Sequence, residues 1–184
     1  MNKTRIGLAL AAAVSVALAC GAGHLIINVD VFSFMQGTGK DTISLPTIPA
    51  TLVVTDSIPP LSVQLPPGLS NSVVDTVSLT GRMLMTNTTG SGTVFFQVFF
   101  AGDSASTYSG APALSSDTVA ITNAGSDTVH LRGNLTQTLD SLFTKSKVWV
   151  GIRASLHAGA TAITNGKLRL TALAAHVVIN DKFF

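Results

Sequence analysis

Along KVWVGIRASLH, residues 147–157, apolar and polar positions alternate with a period of two. Val148, Val150, Ile152, Ala154 and Leu156 share one face; Trp149, Gly151, Arg153, Ser155 and His157 share the other. That alternation predicts a half-buried β-strand. The same reading predicts strands over about 25–34, 50–55, 61–65, 73–86, 93–101, 117–122, 127–132 and 167–180. Three pairs, joined by NTTGSG, NAGS and AGATAITNG, read as hairpins. Only NLTQTLDSLFTKSK, residues 134–147, has helical spacing. There Asn134 can cap with Gln137 three residues on, Leu135, Leu139, Leu142 and Phe143 line one side, and Lys145 lies in the last turn. Six of the seven prolines fall between Pro46 and Pro67, so that segment should hold edge strands or extended connections. The expected fold is all-β: a single antiparallel β-sandwich of about nine strands with one short helix.

Within this pattern a motif recurs. DTISL starts at Asp41, DTVSL at Asp75, DTVAI at Asp117 and DTVHL at Asp127. A calcium site wants several oxygen ligands within one short loop, and these aspartates are far apart in the chain with no D-x-D-x-D grouping. They read instead as strand starts. Asp closes the turn and can accept from nearby backbone amides, Thr opens the extended run, and the two branched residues meet the core. TVFFQVFF, residues 93–100, is apolar on both faces: Phe95 and Phe99 flank Gln97, while Phe96 and Phe100 alternate with Val94 and Val98. A sandwich strand normally keeps one polar face, so the helix, the Pro-rich segment or a partner should cover the second side.

Composition agrees. Charged residues are 11% of the chain, against ~25% in an average protein. Strong helix formers are scarce and β-branched residues plentiful, which favours strands.

The leader changes the picture most. MNKTRIGLALAAAVSVALAC places Lys3 and Arg5 before an apolar run, Ile6 to Ala17, too short to span a membrane. ALAC followed by Gly21 resembles the lipobox of bacterial lipoproteins, a family in which the cysteine is acylated and becomes the first mature residue. Cys20 is the only cysteine, so no intramolecular disulfide can form, and its place at the cleavage point fits lipid attachment. ALA also fits ordinary signal cleavage, which would leave a secreted or periplasmic protein with a free thiol. The resemblance implies a signal peptide at 1–19, an anchor and tether at 20–24, and a β-sandwich domain at 25–184. Gly21, where Asp would signal retention, resembles the pattern of lipoproteins sent to the outer membrane. Several acyl chains give stable anchoring where a single chain does not.

Cleavage removes two of the 11 basic residues, Lys3 and Arg5, and leaves nine against nine acids. The net charge is then zero, so nucleic-acid binding loses its electrostatic basis. QGTGKDT matches only the end of a phosphate-binding loop: Phe34 stands where its first glycine belongs and Asp41 replaces the magnesium-binding hydroxyl. No G-x-S-x-G occurs, the chain has no Glu, and His24, His130, His157 and His176 lack metal-ligand spacing. No cofactor, metal or catalytic group is expected. The expectation is a non-enzymatic, lipid-anchored cell-envelope module, at the outer membrane or cell surface, that meets another envelope protein or a polysaccharide. The alternative is a sandwich that binds a polysaccharide or small apolar ligand. The candidate binding face is Trp149, Arg153 and His157, an aromatic beside polar groups on one side of a strand.

Overall fold

The computed structural model describes residues 14–17, 24–65, 73–135, 139 and 141–180. It is an all-β sandwich of two antiparallel sheets. The first sheet contains β1 (Val14–Ala17), β2 (His24–Asp30), β3 (Thr42–Ile48), β5 (Val73–Thr86), β9 (Ser126–Asn134) and β11 (Ile163–Asn180). The second contains β4 (Val53–Gln64), β6 (Gly92–Ala101), β7 (Leu114–Ser115), β8 (Val119–Ile121) and β10 (Lys147–Ala158). The long β11 organises the first sheet, with β5 along one side and β2 and β3 end to end along the other. In the second, β10 lies between β4 and β6.

Period-two patterning explains the core. The predicted inner face of β10 is buried along its whole length, and it meets Val77, Leu79, Met83 and Met85 of β5 and Leu168, Leu170 and Leu173 of β11 within one cluster. Each Asp-Thr repeat lies at a strand start: Asp41 just before β3, Asp75 near the start of β5, Asp117 just ahead of β8, and Asp127 second in β9. Asp127 accepts from the backbone N–H of Thr122 at 3.2 Å. The branched pairs Ile43/Leu45, Val77/Leu79 and Val129/Leu131 are all buried.

Four expectations are corrected. None of the three hairpins forms: β5 to β6, β8 to β9 and β10 to β11 each connect one sheet to the other. Alternation and turn residues look the same whether a reversal pairs its two strands or arches between layers. Second, β9 runs on into the segment expected to be helical: Asn134 is its last residue, paired with Ser78 of β5. In the rest of that segment Leu139 is helical and Ser141–Thr144 forms a 3-10 turn; residues 136–138 and 140 lie outside the described residues. Leu135 and Phe143 still reach the core, Phe143 edge-on to Phe100 at 5.3 Å. Third, the strands expected at 50–55 and 61–65 are one strand, β4, continuous through Pro59 and Pro60. Fourth, β3 was absent from the alternation-based set, although DTISL marks its start.

The arches are tied together at one end of the sandwich. Asn87, only 9% exposed, donates its Nδ2 to the carbonyls of Thr89 at 3.0 Å and Gly90 at 2.8 Å. Its Oδ1 accepts from Gly125 N at 3.1 Å, in the β8–β9 arch. Asn123 Oδ1 returns the tie by accepting from Gly90 N at 2.8 Å. Thr164, at the end of the β10–β11 arch, exchanges backbone hydrogen bonds with Thr88 and Thr89. Gly159 N donates to Ser91 O at 2.7 Å, and Thr51 N, in the β3–β4 arch, donates to Gly159 O at 2.9 Å. Four crossings therefore share one hydrogen-bonded cap, in which the backbone groups of one arch are paired with those of the next.

Val14–Ala17, inside the expected signal peptide, pairs with β2 at the margin of the first sheet. Cys20 lies outside the described residues.

Candidate functional site

The outer face of the second sheet carries the predicted binding residues. Register places them in rows: Trp149 opposite Ser62 and Ala101, Arg153 opposite Ser57 and Gln97, His157 opposite Val53 and Thr93. Trp149 and His157 are eight residues apart on one strand, roughly 26 Å at ~3.3 Å per residue. They share a face but do not converge on one ligand-sized site. Trp149 is half-buried with the Lys147 ammonium 5.4 Å from its ring centre, and His157 is exposed.

Arg153 is engaged. Its guanidinium lies 4.9 Å from the ring centres of both Phe99 and Tyr108, which meet edge-on at 5.2 Å. Tyr108 comes from the β6–β7 connection, GDSASTYSGAPA. This connection covers the second face of TVFFQVFF at Phe99, where the helix, the Pro-rich segment or a partner was expected. Phe99 is thereby 2% exposed, while Phe95 further along the same face is half-buried.

The anchoring of Tyr108 follows from the prolines. Ile58 pairs with Ile152 and Leu61 with Val150, so Pro59 and Pro60 oppose the single residue Gly151, which is a β-bulge. Proline has no N–H, and the ladder is interrupted there. The Tyr108 hydroxyl enters the gap: it accepts from Ile152 N at 2.9 Å and donates to the Ile58 carbonyl, with the Ile152 carbonyl 3.0 Å away as a second acceptor. Its ring lies directly on Gly151, where a Cβ would sit 2.7 Å from Cζ. Glycine is needed at that position because the ring occupies the side-chain space. The loop is held at its start by Asp103, whose carboxylate accepts from Ser106 N at 2.9 Å and Ser106 Oγ at 2.8 Å. Those bonds from Ser106 hold the Asp103 carboxyl below the usual carboxylate range.

Sequence reasoning passed over Tyr108 because it stands in a run of Ser, Ala and Gly with no periodicity. Gly151, interrupting the outer face of an otherwise regular strand, was the available signal that something packs there.

Burial pushes the Tyr108 hydroxyl above its ordinary pKa, against the opposing effect of its hydrogen bond to Ile152. Tyr108 is the only tyrosine, so absorbance at 295 nm reports it alone. A titration is expected to show a midpoint above ~10. Because the folded pKa is raised, the associated stability is complete below ~10 and is lost as pH rises from there through the folded value. Tyr108→Phe should remove that alkaline component and cost about 2 kcal/mol at neutral pH, since it strands Ile152 N–H and Ile58 C=O. A midpoint at or below 10 would mean the hydroxyl is solvated and the bulge is not plugged.

Elsewhere, His130 is exposed beside Arg82, and His176 Nδ1 lies 2.7 Å from Asn28 Oδ1. The side chain of His24 lies outside the described residues. Among the described residues, no group of three His, Cys, Asp or Glu side chains is placed to hold a metal ion.

No family model matches the chain, and no curated protein matches it. Among solved structures it is similar to a chain of the T13 IBDV viral particle, at 6% identity and a TM-score of 0.36, with 75% of this chain and 38% of that chain covered. It is also similar to a chain of the Gx strain of infectious bursal disease virus, at 10% identity and a TM-score of 0.28, over 78% of this chain and 33% of that one. The chain thus spans about a third of these two chains, and at these scores the likeness carries no functional argument.

Proposed function

We propose that this chain is a lipid-anchored β-sandwich of the bacterial cell envelope, acting as a structural or interaction module and not as an enzyme. The observation that carries the reading is the position of the single cysteine. Cys20 ends a lipobox-like ALAC and stands four residues ahead of β2, the first strand that cleavage would leave. An acyl group there would hold the margin of the first sheet close to the membrane, with too little tether for the domain to stand far off. Of the segment cleavage would remove, Val14–Ala17 is a four-residue edge strand, and β2 keeps its pairing with β11 without it. The module would work by tethering, leaving sheet faces and edges to meet another envelope protein or a polysaccharide at the outer membrane or cell surface.

The test is the intact mass of the protein purified from membranes of its own host. The expected mass exceeds that of the sequence beginning at Cys20 by a diacylglyceryl group and a further acyl chain, and Cys20→Ser abolishes the increment. An unmodified mass would overturn the anchor and make this a soluble exported protein.

A further inference from the structure

The outer face of the first sheet concentrates positive charge in a way the function above does not use. Arg82 of β5 and His130 of β9 are directly opposed, Arg132 of β9 opposes Thr80 one row away, and Ala172 of β11 lies against Arg82 on the other side. Arg169 extends the group along β11, opposite Leu84. The register of the strands puts Arg82 and Arg132 on a diagonal, ~7–8 Å apart at the backbone. Among the described residues, neither arginine has a carboxylate partner. Asp30, an acid on this face, lies opposite Ala174 and is engaged by Ser33 N at 3.2 Å.

These side chains surround a depression of about 550 Å³ lined by Thr80, Arg82, His130, Arg132 and Ala172. Ligand sites commonly fall between ~300 and 1,000 Å³. The concavity has a structural cause. The register of β11 against β5 shifts between Leu170 and Ala172, so Thr171 is an extra residue that turns its hydroxyl to Arg82 O at 3.2 Å. The bulge leaves the small Ala172 as a floor between long cationic walls. Bulges of this kind often re-aim side chains beside binding sites. Like charges gathered on adjacent strands cost stability unless something neutralises them. Two guanidiniums, each able to donate in parallel to two oxygens, suit a tetrahedral, multiply charged oxyanion better than a single carboxylate.

We propose that the depression over Ala172 binds a phosphate group, with Arg82 and Arg132 as its principal donors and His130 and Thr80 as its rim. The site does not depend on acylation of Cys20. The phosphate can be free or carried by a lipid headgroup, and the experiment separates the two sources.

The full chain in neutral maltoside micelles is titrated with inorganic phosphate, and separately with phosphatidylglycerol mixed into the micelles, while backbone amide NMR shifts are followed. Saturable shifts are expected at residues 80–82, 130–132 and 172. Arg82→Ala combined with Arg132→Ala should weaken binding at least tenfold, with Trp149 fluorescence unchanged as a check of the fold. Lys145→Ala, exposed beside Gly102 and Asp103 next to the second sheet, should have no effect. A response to free phosphate alone identifies a soluble source, and a response to phosphatidylglycerol at lower concentration identifies a headgroup. Either supports the site. No saturable shift with either probe, or equal affinity in the double variant, overturns it.

Discussion

Gly90→Ala is expected to lower the unfolding free energy by about 4 kcal/mol, from backbone strain of ~1–3 kcal/mol and forced repacking of similar size. Gly90 has φ +89°, a conformation that side-chain-bearing residues adopt at a cost. A Cβ there would stand 2.2 Å from the carbonyl oxygen of Ala162 and 2.8 Å from the Cα of Ile163. Those are backbone atoms of the neighbouring arch, not the end of a side chain that can swing aside. Relief would require the β5–β6 and β10–β11 crossings to separate, and both are held in the shared cap. For a chain of this size the loss corresponds to a fall in Tm of roughly 10 °C. Urea unfolding followed by the single tryptophan measures it. Gly37→Ala is the comparison: its φ is +76° but nothing lies within 4 Å, so only strain, ~1 kcal/mol, applies. Equal losses at the two positions would show that the arches yield freely and that the cap is not rigid.

The second large effect is expected at Asn87. Removing its amide by Asn87→Ala deletes the donors to Thr89 O and Gly90 O and the acceptor for Gly125 N in a nearly buried setting. Each such bond contributes ~1 kcal/mol net, and a buried group left unpaired costs ~1–3 kcal/mol, so the total should be about 3 kcal/mol. Asn87→Asp should do no better. It keeps an acceptor for Gly125 but sets a carboxylate against two carbonyl oxygens. The midpoint of denaturation should fall with little change in slope, and amide exchange at Gly125 should quicken. A loss under ~1 kcal/mol would mean that the backbone bonds of Thr88, Thr89 and Thr164 hold the cap without the side chain.

Both residues stand in segments that, as sequence, looked like simple turns. NTTGSG has the composition of a hairpin loop, and the strands on either side alternate as hairpin strands do. Nothing local distinguishes a reversal that pairs its own strands from one that crosses between layers, because side-chain period and turn chemistry are common to both. The deciding contacts join Asn87 to Gly125, 38 residues away, and Thr89 to Thr164, 75 residues away. The candidate binding face shows the same limit. Trp149, Arg153 and His157 were placed on one side of β10, and that is where they lie. Their separation along the strand was implicit in the numbering, but the engagement of Arg153 by Phe99 and Tyr108 was not. That cover depends on an aperiodic loop and on a bulge created by Pro59 and Pro60 of another strand.

What the sequence alone determined was local and directional. Alternation of apolar and polar residues assigned the strands, their inner and outer faces and the sandwich class, since backbone pleat turns period two directly into burial. The Asp-Thr repeats marked strand starts because a turn-closing carboxylate and a β-branched residue act within a few bonds. What only the tertiary structure decided was partnership: which strands share a sheet, which loop covers Phe99, and that arginines from β5 and β9 face one depression. Those outcomes rest on contacts between residues far apart in the chain, whose free energy is gained only once the two layers close on each other.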